Sequence, residues 1–288
     1  MLDTSSAVVP SVIPSVIHSA LEVAHPSWRP ILIEGLSEMA ALYPDYLPDL
    51  VNSEFLPTQG RLFAAFALPV DAVRYVLVGE GPYPRDASAT GVCFMDGAVG
   101  ALWSEKGLSK PVNRATSLRN FVKMLLVADG QLDIARTTGD AMAEVALRAQ
   151  NGAQGIGGSE TGSATIQTLP ELQENLTAKG FLLLNATLVF RSSVPPVKEA
   201  KPWLPFLQVV LRGLGLQAGA ASGWLPTLVL WGKIAEQVNA LAVAAPFPKL
   251  VAEHPYNLSF IGNASMQALF GPMQLLRKAC LPLNAIAD

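Results

Sequence analysis

Three of the four apolar runs in this 288-residue chain end in side chains with chemistry to offer. Tyr75–Val78 leads into GEGPYPRDASATGVCF, Gly79 to Phe94, which holds the carboxylates Glu80 and Asp86. Phe181–Leu184 is followed by Asn185, whose carboxamide offers both a donor and an acceptor. Lys249–Ala252 leads through Glu253 to His254. If the runs are parallel strands, these residues stand at carboxyl ends, where open α/β sheets bind ligands. Glu80, Asn185 and His254 would then meet at one mouth. The other histidines read as structural or exposed, His18 in a proline-punctuated N-terminal stretch and His25 just before Pro26. Cys93 and Cys280 are too few for a disulfide framework or a zinc site, so no metal is expected.

The elements that must position these groups follow from patterning. Arg74–Val78, Phe181–Leu184, Thr227–Trp231 and Lys249–Ala252 read as buried strands with helical patterns between them. That alternation predicts an α/β fold, a single domain with a central four-stranded parallel sheet flanked by helices. A helix is expected from Ser27 as cap, with Leu32, Leu36, Met39 and Tyr43 on its buried face. A second is expected after Pro57 and Thr58, carrying Leu62, Phe63 and Phe66. Residues 1–26 are set apart as an N-terminal extension, and 27–288 as the domain. Within it, about 129–168 forms an insertion around the glycine-rich run Gln150–Ser159, either decoration or a flap.

Half the residues are hydrophobic and 15% are charged, which excludes wholesale disorder. The net charge of −3 excludes a protein coated in basic charge, but not a local groove. Between residues 105 and 123, Lys106, Lys110, Arg114, Arg119 and Lys123 oppose only Glu105, a local balance of +4. This strip reads as a solvated helix face or as one wall of a DNA groove. Without a basic n-region or an uninterrupted apolar run of about 18 residues, neither a signal peptide nor a membrane span is expected. The default is a cytoplasmic protein.

GEGPYPRDASATGVCF closely resembles the first motif of family-one uracil-DNA glycosylases, GQDPYHGPGQAHGLCF, without a gap. HPYNLS, His254 to Ser259, resembles that family's HPSPLS. FLLLNATLVFR, Phe181 to Arg191, is similar to VLLLNTVLTVR, and LVLWG, ending at Gly232, to the LLWG strand. Arg114-Ala-Thr-Ser-Leu-Arg-Asn resembles the family's Pro-Ser-Leu phosphate-contact loop, and PTQGRLFAAF, Pro57 to Phe66, the helix before the first motif. These stretches stand in the family's order and cover most of residues 27–275.

The resemblance implies a monomeric, cofactor-free glycosylase acting on uracil-containing DNA, single- or double-stranded. Asn185 would read the uracil edge, Phe94 would stack on the flipped base, and Tyr83 would exclude a thymine methyl beside Gly81. His254 would hydrogen-bond the uracil O2 as charge develops there. Leu258 would wedge into the duplex, while Ser259, Thr116, Ser117 and Arg114 would hold phosphates.

Three departures bear on activity. Gly81 stands where the family has its catalytic aspartate, Glu80 and Pro84 replace glutamine and histidine, and Tyr256-Asn257 replaces Ser-Pro. The first motif also resembles GEAPGxxE of family-four uracil-DNA glycosylases, which lacks that aspartate and carries acids at the offsets of Glu80 and Asp86. Asp86 is therefore expected to orient the attacking water, with Glu80 second. The alternative for Asp86 is a turn residue. The alternatives for the whole chain are an inactive relative that binds uracil-containing or abasic DNA, and a glycosylase for another damaged base.

Overall fold

The computed structural model describes residues 13–153 and 165–278. Six strands occur there: β1 Tyr75–Gly79, β2 Trp103–Ser104, β3 Gly107–Leu108, β4 Phe181–Asn185, β5 Thr227–Trp231 and β6 Lys249–Ala252. Four make the main sheet, in the order β4-β1-β5-β6, while β2 and β3 form a small antiparallel hairpin. The main sheet is parallel. Its flanking hydrogen bonds show the register: Thr227 N–H donates to the Arg74 carbonyl at the amino ends of β5 and β1, and Ala186 N–H to the Gly79 carbonyl at the carboxyl ends of β4 and β1. The four predicted strands are present, and β1 and β4 each end one residue later than the apolar runs.

By contact density the described chain divides into two compact units. The first holds residues up to Cys93, Leu182–Leu228 and Glu236–Lys249, and the second holds Phe94–Phe181, Val229–Ala235 and the residues from Leu250 on. In the first unit, helix Arg29–Leu42 packs on helix Pro196–Ser222, burying Leu32, Leu36 and Met39. Trp28, Phe66, Phe206 and Trp203 form an edge-to-face chain in the same core. Residues 13–26, set apart as an extension, belong to this core: Ile13, Ile17, Leu21 and Ala24 are buried.

Two helix expectations need correction. The first helix begins at Arg29, not Ser27, because Pro26–Trp28 is a 3₁₀ turn whose cap is His25, its Nδ1 accepting from the Ser27 N–H. The Ser27 hydroxyl is occupied elsewhere, accepting from the Val70 N–H. Pro57 and Thr58 do not open a regular α-helix, since Arg61–Ala67 is 3₁₀ with Phe63 and Phe66 off helical geometry.

The second unit is built around aromatics. Phe121 meets Phe270 edge-on at 5.1 Å, Phe181 stacks on Phe270, and Trp231 meets Phe260 at 5.3 Å. The expected insertion contributes to this unit through helix Asp140–Ala153, which buries Met142, Val145, Ala146 and Ala149. Most of the glycine-rich run (154–159) lies outside the described residues, as does Cys280.

Candidate active site

In the first unit, the end of β4 is laced to the end of β1. Ala186 N–H donates to the Gly79 carbonyl, Thr187 N–H to the Glu80 carbonyl, and Cys93 N–H to the Leu183 carbonyl. Asn185 is only 5% exposed, yet among the described residues no hydrogen bond engages its carboxamide. Its amide atoms are not among the fully buried groups left without a partner, so they reach solvent at the strand end, where a donor and an acceptor are open to a ligand. Gly79 makes its position possible. A Cβ there would stand 2.5 Å from Cys93 Sγ and 3.0 Å from Asn185 Oδ1.

Cys93 is the small core residue its apolar context predicts, with burial pushing its thiol pKa up to about 12. Tyr83 is half-buried. At Gly81 a Cβ would find only ordinary contacts, the Thr187 carbonyl oxygen at 3.5 Å and its Cβ at 3.7 Å. Nothing in the local packing therefore excludes a side chain there.

The two carboxylates differ. Glu80 is exposed beside Gly81 and makes no side-chain hydrogen bond among the described residues. It lines a cavity of about 240 Å³ with Gly81, Thr187, Arg191 and Glu199, which Asn185 does not line either. Asp86 is exposed but engaged, its Oδ1 accepting from the Thr58 hydroxyl at 2.5 Å. It faces a groove of about 700 Å³ walled by Phe55, Pro57, Pro84 and Phe190, which Asn185 does not line.

Behind the smaller cavity sits a network the sequence did not disclose. Arg191 pairs with Glu199 at 2.8 Å and also with Asp49, while Tyr46 donates to Glu199 and Trp203 Nε1–H donates to Tyr46. Burial, then the hydrogen bond to Glu199, holds the Tyr46 hydroxyl pKa well above its ordinary value.

In the second unit, Phe94 is half-buried and its ring meets Phe121 and Trp231 edge-on at 5.4 Å each. Its φ of 68° is a left-handed conformation that bulky residues avoid, and such strain concentrates at functional sites. His254 is exposed, and its Nδ1 accepts from the Tyr256 N–H at 3.1 Å. That bond makes Nε2 the protonated nitrogen of the neutral ring, the form suited to donate to a developing anion. Gly232 packs against this histidine: a Cβ there would lie 2.9 Å from His254 Cβ. Beyond it the loop turns through Asn257 N–H to the His254 carbonyl and exposes Tyr256 and Leu258 at 68% each. Ser259 is exposed too.

Thr116 and Ser117 open the thirteen-residue helix Thr116–Ala128, whose N-cap is Ala115 and which has no side-chain cap. Its first-turn N–H groups and positive dipole end are suited to a phosphate. The two hydroxyls make no hydrogen bond among the described residues. The basic strip is narrower than its sequence suggests. Lys106, Lys110 and Arg114 are exposed, but Arg119 donates to Asn113 O and Asn120 Oδ1, and Lys123 is buried. Burial, then the neighbouring Arg119, lowers the Lys123 pKa.

Asn185 ends β4 in the first unit and His254 follows β6 in the second, and the main sheet is parallel, an α/β fold of the kind that binds ligands at strand ends. The comparisons with known proteins make this specific. A crystal structure of wild-type UNG from Nitratifractor salsuginis matches at a TM-score of 0.78 and 37% identity, covering 91% of this chain and 97% of that one. The uracil-DNA glycosylases of Corynebacterium glutamicum and Flavobacterium johnsoniae are 27% and 26% identical over 241 residues, 82% of this chain and 81% and 85% of theirs. No protein-family model matches. The chain belongs to the uracil-DNA glycosylase superfamily.

Proposed function

We propose that this protein is a DNA-repair glycosylase that flips uracil from DNA and hydrolyses its N-glycosidic bond, leaving an abasic site. The observation that carries this reading is Asn185, a nearly buried carboxamide whose donor and acceptor have no partner among the described residues. Those two groups complement the edge of uracil, which offers one acceptor and one donor side by side. Phe94 stacks on the base, and Tyr83 with Gly81 borders it.

Bond cleavage follows from leaving-group stabilisation. As C1′–N1 breaks, its electron pair moves into the uracil ring, and the Nε2–H of His254 donates to the O2 that becomes anionic. A pre-aimed donor of this kind is worth roughly 3–4 kcal/mol. A water oxygen then bonds to C1′ and loses its proton to a carboxylate. Leu258 fills the gap in the duplex, while Thr116, Ser117, Ser259 and Arg114 hold phosphates.

For the water-orienting carboxylate, the motif points to Asp86 first and Glu80 second. The geometry supports the reverse order. Glu80 stands beside Gly81 with its carboxylate unengaged, whereas Asp86 is tied to Thr58. The same tie favours the second reading, a relative that binds uracil-containing or abasic DNA without turning it over.

Uracil release from single- and double-stranded oligonucleotides separates these possibilities. Wild type is expected to release uracil, Glu80→Gln to lose at least tenfold in kcat, and Asp86→Asn to lose less. No release by wild type sinks the enzymatic reading, and full activity in Glu80→Gln with loss in Asp86→Asn restores the motif's order. We also read the enzyme as a cytoplasmic monomer. In support, no helix among the described residues is long and apolar enough to cross a membrane. Sedimentation and cell fractionation test this part.

A further inference from the structure

We propose that Asn120 is a positioning residue for the loop that carries His254 and Leu258, a role that rests on the glycosylase reading for its effect on catalysis. Asn120 lies on helix Thr116–Ala128 and is 1% exposed. Its Nδ2 donates to the Pro255 carbonyl at 2.8 Å and is shared with the carbonyls of Tyr256 and Asn257, each at 3.3 Å. Its Oδ1 accepts from Arg119 Nε at 3.3 Å, and Arg119 in turn donates to the Asn113 carbonyl. One side chain thus gathers three successive carbonyls of the His254–Leu258 turn.

The physics favours a dedicated clamp. Three neighbouring carbonyls gathered on one point repel one another unless a donor stands between them. The Asn257 carbonyl also accepts from the Phe260 N–H, and the buried bond is the one to Pro255. A carboxamide nitrogen supplies two N–H groups from one short, stiff side chain. With those carbonyls held, the Tyr256 N–H is left to face His254 Nδ1, the bond that sets the ring tautomer. Phe260 buries the far end of the loop, so the segment exposing Tyr256 and Leu258 is anchored at both ends. This loop has Asn257 where the related motif has proline, so its shape is not imposed by a proline ring. The helix that carries Asn120 also presents Thr116 and Ser117 at its amino end. Asn120 therefore holds the wedge loop in register with the phosphate-binding turn.

The test uses Asn120→Leu, which removes the donors in nearly the same volume, and Asn120→Asp, which replaces them with an acceptor. Amide hydrogen exchange is followed at Tyr256 and Asn257 against Leu228–Trp231 of β5, alongside uracil release from duplex and single-stranded DNA. Tyr256 and Asn257 are expected to exchange at least tenfold faster in both variants, with β5 unchanged. The kcat/KM is expected to fall at least tenfold on duplex DNA and also, through the displaced His254, on single strands, with the larger loss on duplex, where a base pair must be opened. Wild-type exchange at Tyr256 and Asn257 in either folded variant overturns the proposal. So does an equal rise across β5, because it marks a merely structural role, or an undiminished kcat/KM on both substrates, because the held loop then positions neither group. If wild type releases no uracil, the glycosylase reading falls on that arm, and the exchange data still decide whether Asn120 holds the loop.

Discussion

Replacing Gly79 by alanine separates the packing of β1 from the placement of Asn185. The added Cβ would stand 2.5 Å from Cys93 Sγ, a distance real Cβ atoms do not show, and 3.0 Å from Asn185 Oδ1. Cys93 is buried and cannot swing into solvent, so the strand end or the thiol must shift. Overpacking of this kind costs about 1–3 kcal/mol. At about 2–4 °C per kcal/mol for a chain of this size, Tm should fall by about 2–12 °C. Removing the sulfur relieves the worse contact, since the Cys93 Cβ is 3.7 Å away, an ordinary distance. The double variant Gly79→Ala/Cys93→Ala should therefore regain most of the lost Tm.

Its activity should not return. The new methyl still presses on Asn185 Oδ1, and a displacement of a few tenths of an ångström would misalign the two hydrogen bonds proposed between Asn185 and the base. Misplacement by about 1 Å costs about 100-fold, so a loss of roughly tenfold in kcat/KM is expected. Thermal melts and uracil release, run on wild type, Cys93→Ala, Gly79→Ala and the double variant, make the comparison. If the double variant recovers both Tm and full activity, the proposal that Asn185 reads the base from this position is refuted.

On the proposed reading His254→Ala should lower kcat by about 100- to 1,000-fold, because the donor proposed for the developing oxyanion is removed; single-turnover uracil release checks it. Gly232→Ala places a methyl 2.9 Å from His254 Cβ at a φ of +66°, so both stability and activity should fall, read by melting and release assays. Stability should decline as pH rises from about 9 towards about 12, because the unfolded state ionises Cys93 while the folded state keeps the thiol protonated. The folded state then binds more protons, so Cys93 contributes a slope of at most about −1.4 kcal/mol per pH unit, which Cys93→Ala should remove in denaturant titrations, leaving above about pH 10 the like-signed contribution of Tyr46.

The strands were legible because buried parallel strands are apolar on both faces and leave an uninterrupted run. Leu182, Leu183 and Leu184, all buried, show that pattern directly. The first helix start was misread at Ser27 for a reason local patterning does not contain. The hydroxyl that looked like a cap is spent on Val70, 43 residues away, and His25 caps the 3₁₀ turn instead. Asp86 shows the same limit at the site. Its offset in the motif was readable, but its hydrogen bond to Thr58, 28 residues earlier, was not. The basic strip was counted correctly as charge, yet burial removes Lys123 from the surface.

By itself, the order of residues determined the strand ends, and with them the places of Asn185, His254, Phe94 and Gly81 that the proposed chemistry uses. Those are local properties, written in apolar runs and the turns that break them. Only the tertiary structure decided which polar groups are already satisfied. Asn185 is left open, Asp86 is engaged, His254 has its Nδ1 occupied, and Asn120 spans 135 residues or more to hold the loop beyond it. A hydrogen bond is a contact in space, and its partner across such a separation leaves no periodicity for the sequence to display.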